Sequence, residues 1–230
     1  MQRLAKVISN AGICSRRDAE DLIRDNQVKV DGMIITSPAI KVTNISIIEV
    51  SGRVIHQTPL ARLWRYYKPV GLVTTHKDTH DRNTVFANLP GLPRVISIGR
   101  LDLNSEGLLL LTNNGGLARQ FELPSTKMER IYKVRAYGRP ALLLQNYQNI
   151  TIDQVKYYVK SIKLVKTSSA NSWFEVALTE GKNREIRRIF EYFGLKVNRL
   201  IRVQYGDFVL GNLQPNEYQE VERRQFMQFL

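Results

Sequence analysis

Apolar positions change their spacing along this chain, and each spacing predicts an element. Near the start, Leu4, Val7, Ile8 and Ala11 recur at helical intervals and Gly12 can end that helix. Ser15 is placed to cap a second helix, with Asp18 reaching back to it and Ala19, Leu22 and Ile23 on the inward side. Val28–Ile35 reads as a hairpin about the Asp31-Gly32 turn. Residues 1 to about 50 therefore form one compact unit. Residues 51–61, with Gly52, Thr58 and Pro59, read as a linker, which sets the expected domains at 1–58 and 61–228.

The second part opens on an aromatic strand, Trp64–Tyr67, followed by the Lys68-Pro69-Val70-Gly71 turn. Leu108–Leu111 is an apolar run of buried-strand length, closed by Thr112 and the turn-forming Asn113-Asn114-Gly115-Gly116. Ile131, Lys133 and Arg135 alternate with Tyr132, Val134 and Ala136, a strand with one basic face. Residues 140–172 read as a helix and then strands, without identifiable chemistry. Trp173–Leu178 alternates as a strand, and Gly181 and Asn183 mark the turn before a helix ended by Gly194. On that helix Ile186, Ile189, Phe190 and Phe193 share a face, Arg184 and Arg188 lie opposite, and Arg187 lies at the border. These strands and helices are expected to form an α+β fold.

Composition narrows the classes. The chain has 230 residues, 43% of them hydrophobic, enough for a packed core. No apolar run approaches the ~20 residues of a membrane span, and the basic N-terminus lacks a signal-peptide core. A cytoplasmic protein is expected. Cys14 is the single cysteine, which excludes an internal disulfide and a cysteine zinc cluster. The formal net charge is +13, which favours a polyanionic partner, nucleic acid before a membrane surface. Residues 1–58 hold only 8 basic and 6 acidic residues, whereas 181–202 hold seven basic and two acidic. The excess is thus downstream, in an Arg-rich stretch interrupted by core residues, as directed phosphate contacts require.

Asp102 stands alone between Leu101 and Leu103, just ahead of the buried run. A carboxylate at a core edge costs several kcal/mol unless a partner keeps its charge. A turn or capping aspartate is the plain alternative. Arg16 and Arg17 lie in the first turn of the second helix, either as solvated surface or as phosphate contacts. His76 and His80 are four apart, yet HKDTHDRN is a polar loop without further ligands, so no metal site is expected.

Four stretches together resemble a known family. Residues 99–116, GRLDLNSEGLLLLTNNGG, resemble the motif carrying the nucleophilic Asp of pseudouridine synthases, with Ser105 for the usual Thr and Asn114 for the usual Asp. YYKPVG resembles the first family motif, in which Lys68 and Pro69 read mainly as architecture. The strand around Tyr132 resembles the second. EGKNREIRRIF and RLIRVQYG resemble the third, with Lys182 for Arg and Glu185 for Gln. GICSRRDAE and VKVDG resemble an N-terminal S-four-type RNA-binding domain. The ordered set resembles ribosomal pseudouridine synthases with such a domain, most closely the large-subunit ribosomal RNA members.

The resemblance implies a catalytic domain on a mixed, mainly antiparallel sheet flanked by helices. It implies isomerisation of a specific uridine in ribosomal RNA, free or within an assembling ribosomal particle, by a monomer. No cofactor or metal is expected. Asp102 maps to the nucleophile or base, Arg187 to its basic partner, and Tyr132 to the ring that stacks on uracil. Leu200 maps to a residue packing near the base. Arg100 is the candidate to fill the space the base vacates. Arg16, Arg17, Arg82, Lys182, Arg184 and Arg188 are the candidate RNA contacts. The rival readings are a non-catalytic RNA-binding ribosome-assembly factor and, less well supported for want of a carboxylate cluster, a metal-dependent nuclease.

Overall fold

The structure is a computed structural model that describes residues 1–55, 59–168 and 170–230. Contacts divide it into two units: Met1–Arg62 with Gly91–Ile96 and Thr112–Gly115, and Leu63–Pro90 with Ser97–Leu111 and Gly116–Leu230.

The first unit runs β1 (Gln2–Arg3), α1 (Leu4–Asn10), α2 (Arg16–Arg24), β2 (Val28–Val30), β3 (Met33–Ile34), β4 (Lys41–Val42), β5 (Ile48–Val50) and β6 (Arg53–Ile55). α2 starts as its sequence dictates. The Ser15 hydroxyl accepts the Asp18 N–H at 3.1 Å, and the Asp18 carboxylate accepts the Ser15 N–H at 3.3 Å, so two otherwise unpaired donors are satisfied reciprocally. Asp31 and Gly32 both take positive φ, 50° and 84°, which matches the twist of the β2–β3 hairpin. Leu4, Ile8, Ala19, Ile23, Val28 and Val50 meet in the core. The linker expected over 51–61 is narrower than its composition suggested. Ser51-Gly52 is a two-residue hairpin turn, and Arg53–Ile55 pairs with β5 as a fourth strand. Residues 56–58, in the same stretch, lie outside the described residues.

The second unit is built on one large mixed sheet. Its elements are β7 (Leu63–Lys68), β8 (Ile96–Ile98), β9 (Glu106–Thr112), α3 (Gly115–Glu122), β10 (Arg130–Tyr137), α4 (Ala141–Asn146), β11 (Ile150–Ile152), β12 (Val155–Tyr157), β13 (Val159–Ser168), β14 (Asn171–Leu178), α5 (Glu185–Tyr192), β15 (Lys196–Tyr205), β16 (Phe208–Val209) and β17 (Tyr218–Glu220). The order across the sheet is β13-β14-β10-β15-β9-β7-β17, with β16 on β15 and β8 on β9, while β11 and β12 pair separately. β10 is antiparallel to both β14 and β15, and β15 runs parallel to β9. Every residue of β9 is buried, as an unbroken apolar run requires of a strand covered on both faces. β10 instead alternates. Tyr132, Val134 and Ala136 are buried and Lys133, Arg135 and Tyr137 exposed. α5 packs on the buried side, where Phe190 meets Phe174 edge to face at 5.1 Å between ring centres.

One turn expected from composition is a helix start. Gly115 and Gly116 open α3, because Leu117, Ala118 and Phe121 continue at helical spacing and bury. The first N–H groups of a helix have no helical partner, so glycine is tolerated there better than in its middle.

Candidate active site

Asp102 occupies a turn between β8 and β9, with the Ser105 N–H donating to the Asp102 carbonyl at 3.0 Å. Each of the four residues around it is fixed through its backbone by a different group. The Thr74 hydroxyl donates to the Leu101 carbonyl at 3.0 Å. The Gly71 N–H donates to the Leu103 carbonyl at 2.9 Å. Arg187 donates through Nη2 to the Asn104 carbonyl at 2.7 Å. The Lys68 ammonium donates to the Ser105 carbonyl at 2.8 Å and to Pro69 at 2.8 Å. The half-buried Asp102 carboxylate between them makes no hydrogen bond or ion pair among the described residues. Its backbone is held on all sides while its carboxylate keeps no protein partner among the described residues.

Two buried or half-buried cations face it. Burial pushes the Lys68 ammonium down to about 8, and the negative charges of Asp102 and Glu106 oppose that fall. Burial likewise lowers Arg187, Arg184 adds to the effect and Asp102 opposes it. Arg187 therefore senses the charge of Asp102, but its hydrogen bonds go to carbonyls, Asn104 and Val197, rather than to the carboxylate. Behind the turn, Glu106 accepts from Tyr67 at 2.8 Å and from Arg199 Nε at 2.7 Å. Burial works against the Glu106 charge, yet Arg199, Tyr67 and Lys68 outweigh it and hold the carboxyl below its usual range.

Asp102 opens into a cleft of about 1450 Å³ that Tyr132, Leu200, Arg100, Lys182 and Arg184 also line. Tyr132 and Leu200 are nearly buried, on β10 and the neighbouring β15. Arg100 and Arg184 are exposed, and Arg188 is exposed on α5 without lining the cleft. Arg82 lines the cleft too, though its guanidinium is spent on Asp78, at 2.6 and 3.0 Å. Arg16 and Arg17 sit in the first turn of α2, both exposed. His76 stacks on Phe86 at 3.6 Å, His80 contacts Thr79, and among the described residues no group of three or more potential ligands could hold a metal.

Several residues of this site carry no strong signal in the sequence. Lys68 is fully buried and Thr74 lies in a polar loop, and only the fold reveals that both clamp the Asp102 turn. A glutamate directly before Gly107, at the start of the apolar run, was the available hint for Glu106. Glu185, 3% exposed, also lines the cleft. Its Oε2 accepts the Lys182 N–H at 2.9 Å, and its carboxyl lies beside that of Glu180. Burial, with Glu180 nearby, raises it to about 7.

The chain is similar to known proteins over most of its length. The model of the RNA pseudouridylate synthase family matches residues 62–192, and that of the S4 domain matches residues 2–44. An RNA pseudouridine synthase of Rickettsia felis is 66% identical over 225 residues, covering 97% of this chain and 98% of the relative. The ribosomal large subunit pseudouridine synthase B of Pasteurella multocida is 40% identical over 218 residues, covering 91% of this chain and 63% of the relative. A crystal structure of a pseudouridylate synthase superimposes over the full length of both chains with a TM-score of 0.66 at 24% identity, a likeness of fold. The family model spans more than half of the chain and the relatives nearly all of it; the chain belongs to the RNA pseudouridine synthases, isomerases of uridine in RNA, and carries an S4 domain at its N-terminus.

Proposed function

We propose that this enzyme converts a specific uridine of large-subunit ribosomal RNA to pseudouridine, with Asp102 as nucleophile or base. The observation that carries the reading is the Asp102 turn, pinned at Leu101, Leu103, Asn104 and Ser105 while its carboxylate stays unpaired at the cleft. A group that must meet a reacting atom needs this combination of fixed position and free valence. The large-subunit substrate is supported by the 40% identical relatives of that description in Pasteurella multocida and Salmonella typhi.

The reaction is an isomerisation. The bond from ribose C1′ to uracil N1 breaks, a bond from C1′ to C5 forms, C5 gives up its proton and N1 takes one. Asp102 serves as the attacking carboxylate or as the base. Lys68 and Arg187 hold its turn in register. Tyr132 offers one ring face to the uracil, and Leu200, diagonal to it across the β10–β15 pair and opposite Val134, supplies an apolar floor. The nucleotide must leave its helix to reach them, at a cost of a few kcal/mol that stacking and phosphate contacts offset. Arg100 fills the vacated space. Lys182, Arg184 and Arg188 hold phosphates, as do Arg16 and Arg17 in the S4 domain. Arg82 joins them only on leaving Asp78.

The proposed domain limits are 1–58 and 61–228, and the enzyme works as a cytoplasmic monomer on ribosomal RNA, free or in an assembling particle. RNA labelled with tritium at uridine C5 tests the reading: the wild type should release tritium to water and Asp102→Asn should not, while binding RNA within a few fold of wild type. Turnover by a verified Asn variant would overturn the role of Asp102.

A further inference from the structure

The sheet of the second unit has a second charged face, on the reverse of the cleft. Alternation along β10 sends Tyr132 and Val134 to the cleft side and Lys133 and Arg135 to the other. The register places a straight row across four strands on this reverse face. Lys166 of β13 stands opposite Trp173 of β14, Trp173 opposite Arg135 of β10, and Arg135 opposite Arg199 of β15. With strands about 4.8 Å apart, the row spans roughly 14 Å. Its four members, with Ser168 and Asn171, line a depression of about 250 Å³. A second row beside it carries Lys163, Glu175 and Lys133.

The charges of this face do not cancel. Its acidic groups are Glu175, 4.0 Å from Lys163, and Glu106, which binds Arg199. Among the described residues the side chains of Arg135, Lys166 and Lys133 have neither a hydrogen bond nor an ion pair. Trp173 is half-buried between two of these cations and lines the depression, so part of its indole reaches the surface. Cations flanking a partly exposed aromatic ring on a sheet are an arrangement that holds unpaired nucleic acid, with a base on the ring and phosphates on the cations. A duplex would hide its bases from Trp173, and an acidic protein segment would have no use for a stacking ring between the charges.

We propose that this reverse face binds an unpaired stretch of RNA, one base stacked on Trp173 and its flanking phosphates held by Lys166 and Arg135. It is a docking site separate from the cleft, so one RNA can occupy both by passing around the sheet edge. Its existence does not depend on the catalytic role of Asp102.

The full-length protein has two tryptophans, and Trp64 is 1% exposed, so quenching of emission by added RNA reports on Trp173. Single-stranded oligouridine should quench saturably, and the quenchable emission should vanish in Trp173→Phe. Arg135→Glu with Lys166→Glu should weaken the quenching at least tenfold and flatten its salt dependence by about two phosphates' worth of slope. An equal charge swap at Arg223→Glu with Arg224→Glu, which line neither depression nor cleft, should weaken it far less. Turnover of a minimal stem-loop should be the same in both double variants. For a long RNA fragment, Arg135→Glu with Lys166→Glu should raise KM and leave kcat unchanged. Emission that RNA leaves untouched, equal quenching by duplex RNA, or equal losses from the two charge swaps would overturn the site.

Discussion

Gly107 and Arg202 face each other across the parallel pair of β9 and β15, so closely that a Cβ on Gly107 would lie 2.3 Å from the Arg202 carbonyl oxygen. Gly107 also takes φ of +101°, a conformation other residues avoid. The rung sits two residues past the Asp102 turn, and Arg202 spans it from below, donating through Nε to the Leu108 carbonyl at 2.7 Å.

Gly107→Ala should therefore destabilise the fold by roughly 2–4 kcal/mol, from overpacking against backbone and from backbone strain. Gly71→Ala is the matched control. Gly71 has φ of +89° but open space where a Cβ would go, so strain alone acts and the loss should be about 1–2 kcal/mol. Chemical denaturation of both variants tests the difference. Equal losses would mean that the β9–β15 rung can shift to make room.

Lys68 sits at 0% exposure with its ammonium between the Pro69 and Ser105 carbonyls. Lys68→Met should keep the packing and remove both hydrogen bonds and the cation that faces Asp102. Removing a desolvated charge offsets part of the loss, so stability should fall by only about 1–3 kcal/mol. Turnover should fall on the order of a hundredfold, because a reacting group displaced by about 1 Å loses that much. Measured at saturating RNA, a turnover within a few fold of wild type would show that the other three anchors suffice to place Asp102.

Glu185 gives a pH dependence with a definite sign. Its carboxyl is raised from 4.5 to about 7 by burial and by Glu180, with Lys182 opposing. The unfolded chain releases this proton near 4.5, the folded one near 7, so the stability that Glu185 contributes is full below pH 4.5 and is lost as the pH rises to about 7. Glu185→Gln copies the neutral carboxyl and cannot ionise. It should melt like the wild type near pH 5 and at a higher temperature at pH 8. Parallel melting curves for the two proteins from pH 5 to 8 would show that Glu185 is ionised in the fold throughout.

Much of this architecture is legible in the sequence because it is local. The Ser15–Asp18 box, the Asp31-Gly32 turn, the buried Leu108–Leu111 strand and the two faces of β10 each follow from spacings within one element. What was not legible depends on long-range pairing. Ser51-Gly52 has the composition of a linker and becomes a hairpin turn because Arg53–Ile55 finds β5. Gly115-Gly116 looks like a turn until Leu117 and Phe121 are seen to bury. The same holds at the site. Asp102 stands out as a charge among leucines, but its clamps, Lys68, Thr74 and Arg187, lie 34 residues before, 28 before and 85 after it in sequence. Glu106 reads as the polar end of a strand until Arg199, 93 residues on, is brought to it.

Arg187 decides between two ways of serving Asp102. A direct ion pair would make charge the main requirement, and lysine would replace it well. The guanidinium instead bridges two carbonyls, Asn104 at 2.7 Å on the Asp102 turn and Val197 at 3.1 Å on β15, while feeling the carboxylate through space. Arg187 reaches its two acceptors from two different nitrogens of one planar fork, whereas a lysine would have to reach both from a single nitrogen. Arg187→Lys should thus keep the positive charge yet lose about tenfold or more in kcat, and Arg187→Ala should lose on the order of a hundredfold, with about 1–3 kcal/mol of stability. RNA affinity should fall less in either than in Arg184→Ala with Arg188→Ala, whose side chains are exposed. Turnover, melting temperature and RNA affinity measured together separate the cases. Full activity in Arg187→Lys would assign Arg187 to charge alone, and a loss confined to RNA affinity in Arg187→Ala would make it one more phosphate contact and leave the Asp102 turn to Lys68, Gly71 and Thr74.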